Sequence, residues 1–285
     1  MKPEEKSRDD RTVRRGIGIA VKLLGAIVAS IVIALGALLA VVYNQMSEAL
    51  MEKGDEILRT TTERALQETR AWMNGTLTML EAQRDTIAYE DMDIEEMMEY
   101  IRHTVNSNDA YPAGLYVALT DGSLYHASFV PGPEFDALSK SWYQDGLVSE
   151  DFILGDVYFD EDSQSYVVGA SGVLKDRDGG VRGVAAADVY LDSISKIVRE
   201  TRIEDTGGIF LVDTRTDTII GHQDADILGK KLGEIGTGMY AYADEQIRAG
   251  REELSLYEDT YIQVAKVPGS DWTAVAYVSR GEVLR

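Results

Sequence analysis

The longest hydrophobic run in the sequence lies near the N-terminus, from Leu23 to Tyr43. It reads LLGAIVASIVIALGALLAVVY and contains no charged residue. As a helix rising ~1.5 Å per residue, it would cover about 30 Å, the thickness of a bilayer's hydrocarbon core. A cleaved signal peptide is the alternative, but its apolar region is usually only ~7–15 residues long. A buried helix of a soluble protein would contain more polar residues. The pattern therefore predicts a retained transmembrane helix over residues 23–43.

The charges around this run predict its orientation. Residues 1–22 contain seven basic and four acidic side chains. Because basic flanks stay on the cytoplasmic side, we expect residues 1–22 to form a cytoplasmic tail. Residues 44–285 would then be extracytoplasmic, in a single-pass protein of the cell membrane.

Residues 44–105 have the pattern of one long helix. Leu66, Met73, Leu80 and Ile87 recur every seven residues, and Leu77 fills the stripe between the middle pair. Such a stripe is typical of a helix that packs lengthwise on a partner, which predicts a homodimer. The alternative is a helix that packs on its own domain.

After residue 105 the pattern changes to short apolar strands separated by turns. Two strands flank Asp121-Gly122 within residues 114–126, and others are predicted at 165–174 and 181–190, followed by a helix at 191–202. A similar series follows, with strands at 208–213, 218–222, 254–267 and 272–278 and a helix near 239–249. We therefore expect an α+β fold with two antiparallel-sheet modules in tandem, over residues 106–202 and 203–285.

The composition of the chain argues against several classes of function. The chain has 285 residues, no cysteine and a net charge of −21. Without cysteine there are no disulfides, thiolate metal sites or cysteine nucleophiles, and an acidic surface disfavours nucleic acid as a partner. The three histidines, His103, His126 and His222, form no metal-binding spacing. Since no nucleophile motif is present either, we expect neither an enzyme nor a bound cofactor or metal.

Aromatic residues are the strongest sign of a binding site. They fall between the strands of the first module, at Tyr116, Trp142, Tyr143, Tyr158 and Tyr166. Near them in sequence lie one lysine and three aspartates: Lys140, Asp156, Asp160 and Asp188. If these side chains converge, they form an aromatic box suited to a small ligand with a cationic amine. The alternative is that the aromatic residues are the core of a small sheet domain.

Residues 23–285 resemble the double Cache sensor domains of bacterial and archaeal transmembrane receptors, above all methyl-accepting chemotaxis receptors. The matching stretches are Ser141-Trp142-Tyr143, Tyr158-Phe159-Asp160, Gly183 to Asp188, Gly207 to Asp213, and Ile219 to His222. The resemblance implies two PAS-like modules, which we call the distal module (106–202) and the proximal module (203–285). It also implies that a second transmembrane helix, a HAMP segment and a cytoplasmic output domain follow, so that this sequence is the N-terminal portion of a longer receptor.

The resemblance also implies a ligand site in the distal module. Its residues would be Lys140, Trp142, Tyr143, Tyr158, Asp160 and Asp188, to which we add Tyr116 from the aromatic box. Receptors of this family that bind amino acids have an arginine at the position of Lys140 and a tyrosine at that of Phe135. Lysine lacks the bidentate fork of arginine, so an amine or another small metabolite stays an alternative to an amino acid.

The expected function is therefore extracytoplasmic sensing of a small metabolite by a membrane receptor, most like a chemotaxis receptor. The sensor of a histidine kinase or a diguanylate cyclase is an alternative, as is a surface protein that senses nothing. The expected partners are the small ligand, the membrane and a second copy of the chain.

Overall fold

The computed structural model describes residues 19–161 and 163–283. The chain divides into two compact units, residues 1–52 and 53–285. The first helix, α1 (Ile19–Tyr89), contributes residues to both. Most of the tail predicted for residues 1–22 lies outside the described residues.

The N-terminal unit contains the predicted membrane segment. Within the described part of the chain, one helix is long and apolar enough to cross a bilayer, and an 18-residue window of it reaches a mean hydropathy of 2.7. Large apolar side chains in this segment, such as Leu24, Ile33 and Leu39, are exposed. Exposed apolar side chains of this number are compatible with lipid rather than water.

The predicted helix over residues 44–105 is in fact two helices, which corrects that expectation. α1 ends at Tyr89, and α2 (Ile94–Thr104) begins after a four-residue break. Asp93 caps α2, because its Oδ1 accepts from the backbone N–H groups of Glu95 and Glu96, at 2.9 and 3.0 Å. The Glu96 carboxylate accepts from the Asp93 N–H in return. This capping box stabilises the start of α2, so the segment expected as one helix is divided at residues 90–93.

The distal module contains a five-stranded antiparallel sheet in the order β2-β1-β5-β4-β3. Its strands are β1 (Tyr116–Leu119), β2 (Leu124–Tyr125), β3 (Ile153–Asp160), β4 (Ser165–Lys175) and β5 (Val181–Tyr190). A 3₁₀ turn (Ala137–Ser139) and the short helix α3 (Ser141–Leu147) lie between β2 and β3. The sequence pattern predicted neither α3 nor β3.

The proximal module repeats this topology, in the order β7-β6-β10-β9-β8. Helix α4 (Leu191–Glu200) connects the two sheets. The strands are β6 (Gly208–Asp213), β7 (Thr218–Gly221), β8 (Ser255–Tyr257), β9 (Thr260–Lys266) and β10 (Trp272–Ser279). Between β7 and β8 lie a 3₁₀ turn (Ala225–Ile227) and the helices α5 (Leu232–Ile235) and α6 (Gly238–Arg248), and α7 (Arg280–Val283) follows β10.

The strand predicted over residues 254–267 is a hairpin of two strands. Its tight turn at Glu258-Asp259 places Glu258 at a φ of 53°. A positive φ at a non-glycine residue is uncommon, and no Asn-Gly or Asp-Gly pair marks this turn in the sequence.

The hydrophobic stripe of α1 packs on the chain's own sheets. Met73, Leu80 and Ile87 are buried in one core cluster, together with residues of both sheets and of α4, while Leu66 and Leu77 are partly buried. The stripe was the reason for expecting a homodimer, so that expectation loses its support here and stays a prediction. The stripe of α1 lies on one face of each sheet. The segments that connect β2 to β3 and β7 to β8 cover the opposite faces.

Candidate functional site

A cavity of about 660 Å³ lies on the face of the distal sheet that points away from α1. The side chains that line it include Tyr116, Leu124, His126, Phe129, Phe135, Lys140, Trp142, Asp156, Tyr158, Asp160, Ser163, Asp188 and Tyr190. Six of the seven predicted site residues are among them. The cavity is large enough for an amino acid or a comparable metabolite.

A β-bulge in β3 directs three of these side chains into the cavity. Pairing with β4 shifts register between Leu154 and Val157, so that Gly155 and Asp156 occupy one position of the partner strand. Before the bulge Leu154 packs on the α1 side, and after it Val157 does. The extra residue reverses the alternation, and Asp156, Tyr158 and Asp160 consequently face the cavity.

Asp188, on β5, is the polar centre of the site. The hydroxyls of Tyr116 and Tyr158 both donate to its Oδ1, at 2.8 and 2.6 Å. Burial raises the pKa of the Asp188 carboxyl, and the two tyrosine hydrogen bonds oppose that rise. Burial and the adjacent negative charge raise the pKa of both tyrosines, which keeps them protonated as donors. Both of these hydroxyls donate to Oδ1, and neither donates to Oδ2.

Gly169 provides the space next to this carboxylate. It pairs with Asp188 in the β4–β5 ladder, and a Cβ at this position would lie 3.3 Å from Cβ of Trp142. Trp142 is therefore packed directly over the glycine, where it forms one wall of the cavity. Its ring meets that of Tyr116 edge to face, with centroids 5.1 Å apart.

Lys140 carries positive charge at the exposed side of the cavity. It is the one lysine or arginine among the described lining residues. Its Nζ lies 4.9 Å from the centroid of the Phe135 ring, a cation–π contact. Phe135 thus presents an apolar ring face to the Lys140 ammonium.

Asp160 lines the cavity but is also part of a turn. Its Oδ2 accepts from both the backbone N–H and the hydroxyl of Ser163. These bonds hold the β3–β4 connection, so Asp160 has a structural role in this turn. Its negative charge also contributes to the raised pKa values of Asp188 and Tyr158.

Tyr143 does not line the cavity, in contrast to the other predicted residues. It follows Trp142 on α3, and successive helical residues point about 100° apart. Tyr143 is accordingly buried in the core cluster beside the cavity, with its ring centroid 5.9 Å from that of Trp142. Tyr166 packs against Phe159 rather than into the cavity.

His126 and Phe129 line the cavity but were not selected from the sequence, whereas the family resemblance had placed Phe135 beside the site. His126 stacks on Tyr116 with centroids 4.8 Å apart. Its Nδ1 accepts from the backbone N–H groups of Ser128 and Phe129 at 3.0 and 3.1 Å, which fixes the start of the loop over the cavity. The closely spaced aromatic residues at 126, 129 and 135 were the feature of the sequence that could have indicated this side of the cavity.

The corresponding face of the proximal module is filled by its own side chains. His222, Tyr240 and Tyr277 pack around the buried ring of Phe210. His222 Nε2 lies 2.9 Å from the Tyr240 hydroxyl, and Nδ1 accepts from the Asp224 N–H at 2.9 Å. Burial lowers the pKa of this histidine. A smaller cavity of about 300 Å³ lies elsewhere in the module, near Trp272 and Lys266.

No group of three or more metal-ligating side chains is found among the residues that the structure describes. The site thus consists of one buried carboxylate with two hydroxyl donors, an ammonium at the exposed side and aromatic walls between them.

The Cache-domain family model dCache_1 matches residues 40–285 of this sequence. The chain belongs to the Cache-domain family. This Cache chain is 20% identical over 262 residues to the methyl-accepting chemotaxis protein PscA of Pseudomonas syringae pv. tomato, covering 90% of this chain and 40% of PscA. It is 25% identical over 122 residues to the methyl-accepting chemotaxis protein McpG of Pseudomonas putida, covering 42% of this chain and 19% of McpG. The chain thus spans less than half the length of these relatives.

Solved structures of Cache ligand-binding domains share the fold. The ligand-binding domain of the Pseudomonas aeruginosa amino acid chemoreceptor PctC, in complex with GABA, superposes with a TM-score of 0.64 at 17% identity, over 79% of this chain and 99% of that one. The ligand-binding domain of the Pseudomonas fluorescens chemoreceptor CtaA, in complex with L-alanine, gives 0.64 at 17% identity, over 81% and 99%. At this identity the likeness establishes the two-module fold of a chemoreceptor sensor domain.

Proposed function

We propose that this chain is the ligand-sensing part of a transmembrane chemotaxis receptor, and that its distal cavity binds a small amine-bearing metabolite such as an amino acid. The observation that carries the proposal is the carboxylate of Asp188, which is buried at the cavity with two tyrosine donors on one oxygen. The chemotaxis relatives and the amino acid complexes of the structural neighbours support it.

The physical case rests on charge compensation. A buried carboxylate without a cation is costly, and an ammonium taken out of water is equally costly until it finds an anion. An amine that binds Oδ2 of Asp188 satisfies both charges at once. Tyr116 and Tyr158 hold the carboxylate in place before the ligand arrives, which lowers the ordering cost of binding.

Lys140 would bind the other end of a zwitterionic ligand. Since its ammonium is exposed and rests on Phe135, it can pair with a carboxylate at the mouth of the cavity. A single ammonium gives weaker and less directional pairing than an arginine fork. We therefore expect the carboxylate of the ligand to contribute less to affinity than its amine.

The remaining residues would shape the pocket. Trp142 and the rings of Tyr116 and Tyr158 would enclose the apolar part of the ligand, and Asp160 would hold the β3–β4 turn. Tyr143 would act through Trp142 by packing behind it. None of these groups forms a nucleophile–base pair, so we propose binding without catalysis.

The proposed topology follows the charge pattern. Residues 23–43 would cross the membrane, residues 1–22 would lie in the cytoplasm, and residues 44–285 would be extracytoplasmic. Protease added to intact cells should then cleave after Lys53 or Arg59, and protection of both sites would contradict this orientation.

The chemotaxis relatives favour a chemotaxis receptor over the sensor of a histidine kinase or a diguanylate cyclase. The presence of a polar cavity argues against a surface protein that binds nothing.

The test is calorimetric titration of the full chain in lipid nanodiscs with L-norleucine and with pentylamine, which is the same molecule without the carboxylate. Asp188→Asn should weaken both by at least about 30-fold, the typical effect of removing one partner of a buried charge pair. Lys140→Gln should weaken norleucine alone, by about fivefold.

The matched controls are Asp178→Asn and Lys175→Gln, which change residues of the same module outside the cavity. Both should bind as the wild type does. Unchanged binding of both ligands to Asp188→Asn would contradict the proposed site.

A further inference from the structure

Asp156 is a second carboxylate at the wall of the distal cavity, and it is paired with a residue of the other module. Its Oδ1 lies 3.0 Å from Nη2 of Arg215, which belongs to the β6–β7 turn of the proximal module. This ion pair connects the ligand cavity directly to the proximal module. The function proposed above assigns no role to either residue.

Asp156 and Asp188 lie in one row across the distal sheet. Asp188 on β5 pairs with Gly169 on β4, and the β3 bulge sets Gly155 and Asp156 opposite the same glycine. Neighbouring strands are about 4.8 Å apart, so the two aspartates are separated by roughly 10 Å. Gly169 lies between them without a side chain, Trp142 packs over this glycine as a wall of the cavity, and both carboxylates line the same cavity.

The turn that presents Arg215 is firmly held. Asp213, at the end of β6, accepts from the Arg215 N–H at 3.0 Å and from the Thr216 hydroxyl at 2.8 Å. Lys231 Nζ donates to the Thr216 carbonyl at 2.7 Å and to the Thr218 hydroxyl at 2.9 Å. These hydrogen bonds hold the backbone of the turn in place, and the turn positions the Arg215 guanidinium beside Asp156.

The ion pair itself is easily replaced. The side chains of Arg215 and Asp156 are 44% and 49% exposed. Ion pairs at this level of exposure are weak, because water competes well for both charges. A ligand cation held in the cavity by Asp188 would reach Asp156 at a high effective concentration and could take the place of the guanidinium.

We propose that Asp156 is a second cation subsite, which Arg215 occupies in the empty protein, and that the ligand is an amine with two cationic groups, such as a basic amino acid or a diamine. One ammonium binds Asp188, and the second binds Asp156 and releases Arg215. Ligand binding thereby breaks the ion pair between the modules. The inference rests on the proposed amine site at Asp188 and adds the ligand class and its effect on the proximal module.

The experiment compares L-lysine with L-norleucine, which has the same chain length without the second ammonium, by calorimetry on the full chain in nanodiscs. The wild type should bind lysine about tenfold more tightly, from one additional charge-assisted contact. Asp156→Asn should remove this preference and leave norleucine unchanged. Arg215→Gln should tighten lysine by up to about fivefold, since an internal competitor is lost, and should leave norleucine unchanged.

Arg251→Gln is the control for Arg215→Gln, since Arg251 pairs with Glu245 on the surface of the same module, and it should match the wild type. Equal binding of the two ligands to the wild type, a lysine preference that survives in Asp156→Asn, or weaker lysine binding by Arg215→Gln would each overturn the inference. In those cases norleucine binding that depends on Asp188 would leave the proposed function intact. A wild type that binds neither ligand would overturn both proposals.

Discussion

The two modules have the same strand order but use the outer face of the sheet in opposite ways. If Tyr116 of β1 and Phe210 of β6 are taken as equivalent, the pairing registers place Asp188 and Gly169 where the proximal module has Tyr277 and Ile262. The distal pair is a carboxylate next to an absent side chain, which leaves a cavity. The proximal pair fills the same space with a ring and a branched chain. The same strand order thus carries a face with a cavity in one module and a packed face in the other.

A matched pair of side-chain truncations tests whether the outer faces of the two modules differ in packing. Phe210→Ala removes a fully buried ring from the proximal face and should lower the free energy of unfolding by about 3–5 kcal/mol. Phe135→Ala removes a partly buried ring that faces the distal cavity, so it should cost only about 1 kcal/mol. Urea denaturation of the full chain in detergent, followed by circular dichroism, measures both. Equal costs would show that the distal face is as densely packed as the proximal one.

The second prediction concerns the stability of the empty protein. Burial raises the pKa of Asp188 in the folded state above its unfolded value, so its ionisation opposes folding once the pH exceeds the unfolded pKa. Asp188→Asn should therefore raise the melting temperature of the ligand-free chain at neutral pH.

The gain in Asp188→Asn should shrink as the pH falls toward and below the unfolded aspartate pKa of about 3.9, because the wild-type carboxyl then becomes protonated in both states. Melting temperatures of the two chains across this range provide the test. A variant that is less stable than the wild type at neutral pH would contradict the buried, uncompensated carboxylate.

The third prediction, with the smallest expected effect, concerns His222 of the proximal module, whose pKa shift has the opposite sign to that of Asp188. Burial lowers the pKa of His222 in the folded state, so the unfolded chain binds the extra proton more readily. Stability should fall as the pH drops below the unfolded pKa of about 6.5, and His222→Gln should reduce this loss. The difference between the melting curves of the two chains from pH 7.5 to 5.5 measures it. Identical pH dependence in both would show that His222 does not contribute.

Local patterns predicted the parts of the fold with regular periodicity. The uncharged run at 23–43, most strands and the repeated module followed from them. The β3 strand did not, because its bulge breaks the alternation that identifies a strand. Tyr158 and Asp160 were selected for their side-chain types and by family resemblance. Asp156 was noted near the aromatic residues, but its contact with Arg215 depends on two modules meeting in space.

The helical patterns did not show which surface covers the apolar face of a helix. A stripe of Met73, Leu80 and Ile87 shows that one face of α1 is covered, but it does not distinguish a second chain from the chain's own sheets. The capping box at Asp93 and Glu96 was readable in the sequence and would have divided the predicted helix. Tyr143 was placed in the site with Trp142, although adjacent positions on a helix face different surroundings.

The central claim is that an amine binds Asp188 in the distal cavity. A crystal structure of the full chain with L-norleucine tests it most directly. The account predicts the ligand nitrogen about 3 Å from Asp188 Oδ2, with the rings of Tyr116, Trp142 and Tyr158 around the ligand and its carboxylate toward Lys140. A ligand bound in the proximal module, or one whose carboxylate points at Asp188, would contradict the account.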